Sequence, residues 1–172
     1  IRLLEALQLA ERVESHLVIS PAARMTITQE TDWQYDEVVS LADVVYNHQN
    51  IAASIASGSF DTCGMVIVPC SIKTLSAVAN SYSENLLARA ADVTLKEGRP
   101  LVLVVRETPL HVGHLRLMAQ AAETGAVIFP PVPAFYTRPE SIDDIVNNIV
   151  GRVLARLGIE NPLYEKWYSD SE

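Results

Sequence analysis

The chain has 172 residues, enough for one domain with a sizeable hydrophobic core and too few for two domains of ordinary size. Hydrophobic residues make up 49% and charged residues 20%, a balance that excludes an intrinsically disordered chain. The formal net charge of -8 argues against nucleic acid as the partner, because a nucleic-acid backbone favours a basic face. A few well-placed cationic side chains can still hold a phosphate inside an acidic protein.

The two cysteines, Cys63 and Cys70, form no CxxC pattern, and we expect both to be reduced thiols in a cytoplasmic protein. No run of about 18 apolar residues occurs in the sequence, so we expect no membrane span. We expect a single domain over residues 1–172, with its core at about 1–158 and a C-terminal surface tail at 159–172.

The first half of the chain alternates helical and extended patterns. An amphipathic pattern over residues 1–10 predicts an opening helix, and the apolar run at 16–20 predicts a short buried strand. A helix is predicted from Pro21 to about Thr31, since Ser20 can cap it and proline suits its first position. Residues 32–60 are less regular, with an apolar piece at 38–45, a polar turn around 47–50 and a loop at 56–60.

The second half has clearer patterns. Continuous apolar runs predict three strands, at residues 65–69, 101–105 and 126–129. Helical patterns occur at residues 71–81, 85–97, 110–124 and 141–157, and a proline-rich loop spans 130–139. The spacing of Ser81 and Glu84 predicts a capping box before the second of these helices. Apolar strands that alternate with helices are typical of a parallel sheet covered on both faces. The sequence therefore predicts an α/β fold, a three-layer Rossmann-like or flavodoxin-like domain with a mainly parallel sheet.

Polar residues follow three of the predicted strands. They are Ser20, the segment Ser71 to Thr74, and the pair Arg106 and Glu107. Ligands of open α/β sheets bind at the carboxyl ends of the strands, and hydroxyls at a helix start suit an anion. The simpler readings are two helix caps and one surface salt bridge, and both readings stay open here.

Other candidates lie away from the strand ends. Phe135 and Tyr136 close the proline-rich loop, where they could form the wall of a pocket or merely pack in a stiff connector. Arg89 and Lys96 share one helical face, which could equally be a solvated stripe. Arg152 alone would be an ordinary surface arginine.

Sequence motifs for other chemistries are missing. His111 and His114 share a helical face, but no third ligand is spaced to complete a metal site, so we expect none. The sequence contains no GxSxG elbow, no Walker loop and no GxGxxG. Nothing in it therefore supports a classical NAD site or a kinase.

Several segments, in order, resemble one enzyme family. The segments are residues 57–60, 65–75, 89–97, 99–110 and 130–136. They resemble the UbiX/Pad-type flavin prenyltransferases, and the similarity runs from Ile1 to about Trp167. The resemblance implies an enzyme that transfers a dimethylallyl group from dimethylallyl phosphate to reduced FMN without a metal. It also implies that the prenylated FMN passes to a UbiD-type decarboxylase, in ubiquinone biosynthesis or aromatic-acid decarboxylation.

The resemblance implies roles for individual residues. Those that match FMN-contacting positions are Ser20, Ser71, Ile72, Lys73, Thr74 and Arg106. Those that match positions around the prenyl donor and its phosphate are Arg89, Lys96, Tyr136 and Arg152. Glu30 and Glu107 match acidic positions implicated in proton handling. Members of the family form dodecamers in which the sites are shared between subunits.

The family pattern begins with a strand and a Gly-Ala-Ser-Gly-Ala-like loop that cradles phosphate, and this sequence starts after the corresponding position. A helix that feeds directly into a buried strand usually follows another strand, so we expect such a strand and loop before Ile1. Three alternatives stay open: a flavin-dependent decarboxylase of the cysteine-decarboxylase type, an aromatic-acid carboxy-lyase, and a non-catalytic flavin carrier. Turnover of dimethylallyl phosphate separates the prenyltransferase from all three.

Overall fold

A computed structural model describes residues 1–164. The helices and strands in chain order are α1 (Arg2–Gln8), β1 (His16–Val18), α2 (Pro21–Glu30), α3 (Tyr35–Val39), β2 (Val44–Tyr46), β3 (Met65–Cys70), α4 (Ile72–Ala79), α5 (Leu86–Lys96), β4 (Leu101–Val105), α6 (Val112–Glu123), β5 (Val127–Ile128) and α7 (Ile142–Arg156). Single 3-10 turns occur at Ser54–Ala56 and Phe135–Thr137. None of the helices in this part of the chain has the length and apolar character that a bilayer crossing demands.

The strands form two parallel sheets. One consists of β1 and β2, and the other has the order β3-β4-β5. The parallel pairing confirms the prediction made from the alternating pattern. The division into two sheets was not predicted, and within residues 1–164 no ladder joins β1 to β3.

The larger sheet lies between two layers of helices, and its central strand β4 is therefore buried at all five positions. Its residues Leu101, Leu103 and Val105 pack in a cluster with side chains of α4, α5 and α6. The alternate residues, Val102 and Val104, face the other way and pack with side chains of α1 and α7. Side chains that alternate between two buried faces produce the predicted three-layer arrangement.

Residues 32–60 are more regular than predicted. They contain α3 and β2, which the sequence did not predict as separate elements. A contact distant in sequence holds β2 in place: the N–H and the hydroxyl of Ser15 both donate to Asp43 Oδ2 at 2.8 Å. The Asp43 N–H donates back to Ser15 Oγ at 3.0 Å. The bonds from the Ser15 backbone and then from its hydroxyl lower the pKa of Asp43.

The predicted capping box at Ser81 is also wrong. Ser81 has a φ of 51°, and the N–H of Tyr82 donates to the carbonyl of Ala77 at 2.8 Å. Both residues therefore lie in the turn that follows α4 and satisfies its last carbonyls. Asn85 caps α5 instead, since its Oδ1 accepts a bond from the N–H of Ala88 at 3.0 Å. Asparagine and serine are about equally good caps, and spacing alone chose the wrong one.

The predicted surface tail at 159–172 is only partly described, because residues 165–172 lie outside the described residues. Before that point the chain is packed rather than free. Ile159 and Leu163 lie against a cluster formed by α1 and α7. The Asn161 amide also donates to the carbonyl of Gly151 at 3.0 Å. The core boundary at about residue 158 stays a prediction.

Candidate functional site

A cavity of about 800 Å³ lies between β1 and β3. Part of its lining is apolar and includes leucines of α1 and α7, among them Leu7 and Leu154. Its rim is polar and lies where the strands end: Ser20 follows β1, Ser71 follows β3 and Arg106 follows β4. Pockets for small molecules have volumes of about 300–1,000 Å³ and occur at this edge of α/β sheets.

Two helices begin at the rim, each with a serine cap. Ser20 Oγ accepts a bond from the N–H of Ala23 at 3.1 Å, at the start of α2. Ser71 Oγ accepts one from the N–H of Thr74 at 3.3 Å, at the start of α4, and lies 3.2 Å from Thr74 Oγ1. The first N–H groups of a helix have no partner within the helix and carry partial positive charge. Two such starts beside hydroxyls therefore suit an anionic group.

Arg106 brings a positive charge to the same rim. Its backbone N–H donates to the carbonyl of Cys70 at 3.3 Å, which holds Arg106 beside Ser71. Glu107 follows it, and its Oε1 accepts the N–H of Thr108 at 3.0 Å. Both side chains line the cavity, as does Glu30 at the end of α2. One cavity thus brings together six of the predicted site residues: Ser20, Glu30, Ser71, Thr74, Arg106 and Glu107.

Ile72 and Lys73 lie on the same helix start but face elsewhere. Ile72 packs against the hydrophobic core. Lys73 is 85% exposed and forms an ion pair with Glu84 at 3.3 Å. Neither side chain lines the cavity. These two residues can therefore reach a ligand at the rim through their backbone N–H groups.

The predicted prenyl-donor residues lie outside the cavity of their own chain. Arg89 lies on α5, 3.5 Å from the carboxylate of Asp92, and Lys96 forms an ion pair with Glu97. The helical face that they share points away from the face on which Ala90 and Val93 line the cavity.

Arg152, on α7, and Tyr136 both lie near the segment that follows β5. The Arg152 guanidinium is 5.6 Å from the centre of the Phe129 ring, directly before the proline-rich loop. Tyr136 lies in the 3-10 turn of that loop and is 45% exposed, and its neighbour Phe135 is 72% exposed. Within a single chain, the candidate residues thus form one group at the cavity and another outside it.

The cavity also contains residues to which the sequence assigned no role. Ser57, Phe60 and Arg99 line it, and all three belong to segments that carried the family resemblance. The family resemblance included those segments, but no catalytic or binding motif pointed to these three residues individually.

The two thiols have different surroundings. Cys63 is exposed and lines the cavity, whereas Cys70 is fully buried. Burial raises the pKa of Cys70 to about 12, so this thiol stays protonated and is not a nucleophile at neutral pH.

The paired histidines of α6 contact each other. The rings of His111 and His114 have centroids 3.6 Å apart, and His111 Nδ1 accepts the N–H of Gly113 at 3.0 Å. Across the described residues, no group of three or more His, Cys, Asp or Glu side chains is placed to hold a metal ion.

Known proteins of similar sequence and structure share this architecture. A family model described as Flavoprotein matches residues 1–154. The flavin prenyltransferase UbiX of Escherichia coli strain K12 is 61% identical over 169 residues, which cover 97% of this chain and 89% of that protein. The crystal structure of AnUbiX (PadA1) in complex with FMN and dimethylallyl pyrophosphate matches with a TM-score of 0.94 and 48% identity. That alignment covers 98% of this chain and 89% of the other.

A second crystal structure, of a dodecameric FMN-dependent UbiX-like decarboxylase from Escherichia coli O157:H7, matches equally well. Its TM-score is 0.94 at 48% identity, with coverage of 98% of this chain and 91% of that one. These matches confirm the family and the fold that the sequence predicted. The chain belongs to the UbiX/Pad-type flavin prenyltransferases, a family of flavoproteins.

Proposed function

We propose that this chain is a flavin prenyltransferase that transfers the dimethylallyl group of dimethylallyl phosphate to reduced FMN. The observation that carries the proposal is the polar rim of the cavity. There the hydroxyls of Ser71 and Thr74 meet at the start of α4, and Arg106 lies beside them. Membership of the family supplies the reaction that such a rim can serve.

The residues at the rim fit a flavin. Ser20, Ser71, Thr74 and Arg106 offer hydroxyls and one fixed positive charge to its polar edge, and the apolar walls of the cavity suit a ring system. Ile72 and Lys73 offer backbone N–H groups from the first turn of α4. When bound in its reduced form, FMN supplies the electron-rich ring nitrogen that accepts the allyl carbon.

The leaving phosphate needs positive charge, because breaking the C–O bond of the donor builds negative charge on it. Arg89, Lys96 and Arg152 supply this charge, and Tyr136 supplies a hydroxyl. These residues lie outside the cavity of their own chain, so we propose that copies of the chain in a dodecamer bring them to one another's cavities. The exposed Phe135 beside Tyr136 suits a surface that a neighbouring copy covers.

Ring closure on the flavin releases a proton. Glu107 and Glu30 both line the cavity, and a carboxylate at this rim can accept that proton. We propose that the prenylated FMN is passed in the cytoplasm to a UbiD-type decarboxylase, in ubiquinone biosynthesis or aromatic-acid decarboxylation.

The direct test is an anaerobic incubation with reduced FMN and dimethylallyl phosphate, followed by mass spectrometry of the extracted flavin. We expect a gain of one C5H8 unit. A parallel reaction with dimethylallyl pyrophosphate identifies the preferred donor. Unmodified flavin with both donors would contradict the proposal, and release of CO2 from an aromatic or peptidyl-cysteine acid would establish a decarboxylase instead.

Arg152→Ala tests the separation of the donor residues from the flavin residues. We expect the KM for dimethylallyl phosphate to rise by about tenfold, the effect of one lost charge-assisted hydrogen bond. FMN affinity should not change, since Arg152 lies outside the cavity. Arg156→Ala, four residues further along α7 on an exposed position, is the control. Loss of FMN binding in the Arg152 variant would refute this assignment.

A further inference from the structure

The connection from β2 to β3 crosses from one sheet to the other. Residues 57–60 of this connection, here called the bridging loop, lie against the cavity through Ser57 and Phe60. The bridging loop therefore supplies part of the cavity wall where the chain passes from the smaller sheet to the larger one.

Arg99 holds the bridging loop on the side of the larger sheet. It lies two residues before β4, and its guanidinium is mostly buried, with 21% of the side chain exposed. Nη1 donates to the carbonyl of Phe60 at 2.6 Å, and Nη2 donates to the carbonyl of Gly58 at 3.1 Å. The guanidinium thus joins two carbonyls of one loop, a task that suits its planar fork of donors.

The loop also fits closely against the end of α5. A Cβ atom placed on Gly58 would meet the charged ends of the Glu97 and Lys96 side chains, which shows how near the loop lies to these residues. Asp61 adds little to the anchoring: its carboxylate is fully exposed and lies 4.0 Å from Arg99. The two carbonyl bonds are therefore the main electrostatic link between Arg99 and the loop.

On the other side, Phe60 contacts the smaller sheet. Its ring meets the ring of His16 edge-on, with centroids 5.0 Å apart and planes at 77°. His16 lies on β1, and hydrogen bonds fix its ring on both sides, to Tyr46 Oη at 3.0 Å and to Glu14 Oε1 at 2.7 Å. Phe60 thus packs against a ring that is itself held in place.

We propose that Arg99 is a positioning residue: by bonding both carbonyls of the bridging loop, it sets Phe60 against His16 and so fixes the wall of the cavity between the two sheets. Arg99 acts through the loop rather than on the reacting atoms. Its effect on FMN rests on the proposed function, but its effect on His16 does not.

The test compares Arg99→Lys, Phe60→Leu and the double variant. A lysine has one charged centre and cannot bridge two carbonyls with fixed geometry, yet it keeps the charge and most of the length. Arg116→Lys, at an exposed position on α6, is the control for a conservative change elsewhere. The first readout is the NMR signal of the His16 ring, assigned with a His16→Gln variant, since a neighbouring aromatic ring shifts it. The second is the dissociation constant for FMN, from quenching of flavin fluorescence.

We expect Arg99→Lys and Phe60→Leu to shift the His16 signal alike and to raise the FMN dissociation constant by the same factor, about tenfold. The double variant should match Phe60→Leu alone, because the two residues act in series. The proposal is overturned if Arg99→Lys lowers only the melting temperature and leaves the His16 signal in place, or if the two effects add. A wild-type chain that binds no FMN would refute the proposed function, and the His16 signal would still decide the role of Arg99.

Discussion

The most informative single change is Ser71→Ala, since Ser71 has both a structural and a proposed binding role. Its hydroxyl caps α4 by accepting the N–H of Thr74 at 3.3 Å. Removing a serine cap costs about 1 kcal/mol of stability. For a chain of this size that corresponds to a fall in melting temperature of about 2–4 °C. A pure capping role predicts this fall and nothing more.

Binding of an anionic ligand by Ser71 predicts a second effect. A hydrogen bond to a charged group contributes about 1.5–3 kcal/mol, so its loss raises a dissociation constant by about tenfold or more. Ser141→Ala is the matched control, because Ser141 Oγ caps α7 by accepting the N–H of Asp144 at 3.1 Å, away from the cavity.

The assay pairs a thermal melt of each apoprotein with a titration of FMN followed by fluorescence. Both variants should melt a few degrees below the wild type, and only Ser71→Ala should bind FMN more weakly. Equal FMN affinity in the two variants would show that Ser71 is only a helix cap. The rim of the cavity would then lose its proposed anion-binding hydroxyl.

Three further predictions concern stability and reactivity. Gly64→Ala should destabilise the fold by about 1–3 kcal/mol, because Gly64 has a φ of 150° and an added Cβ would lie 2.7 Å from a backbone oxygen. Gly98→Ala should cost less, because its φ of 67° brings backbone strain but no atom lies near the added Cβ, and urea unfolding of both variants tests the difference. A maleimide reagent at about pH 7 should label Cys63, which is exposed, and leave Cys70 intact until the protein unfolds, because burial shields Cys70 and raises its pKa to about 12. Labelling of both in the native state, read by mass spectrometry, would contradict the burial argument. The pKa of Asp43 is lowered in the fold, so its contribution to stability is present above the ordinary value of 3.8 and is lost as the pH falls below it. Melting temperatures measured down to about pH 3 should fall less steeply in Asp43→Asn than in the wild type, and parallel curves would refute this linkage.

The sequence predicted those elements that have a strong local pattern. The strand β4 is an unbroken apolar run because both of its faces are buried, and α7 shows an apolar stripe because one of its faces is buried. The strand β2 escaped prediction because it has three residues, only partly buried, and depends on the bond between Ser15 and Asp43. A pairing over 28 residues of chain leaves no local pattern in either segment.

In the candidate site, too, some placements could be predicted from local sequence and others could not. Ser20, Ser71 and Arg106 were predictable as neighbours, because each directly follows a parallel strand and such strands end at one edge. The position of Lys96 relative to the cavity was not predictable, because it depends on which face of α5 packs inward. Helical spacing shows that Arg89 and Lys96 share a face but does not show what that face meets.

Within residues 1–164, β4 differs from the pair β1 and β2 in how well burial and hydrogen bonding protect its backbone amides. Amide hydrogens of β4, which is bonded on both sides and fully buried, should exchange with solvent only on global unfolding. Those of β1 and β2, three-residue strands without a fully buried position, should exchange through a local opening that needs less free energy. A ligand that contacts both Ser20 and Ser71 contacts both ladders, so its binding opposes that local opening. At a ligand concentration of about a hundred times the dissociation constant, it raises the free energy of opening by about 2.7 kcal/mol. Flavin should therefore slow hydrogen exchange most in β1 and β2, because these strands have the lower free energy of opening.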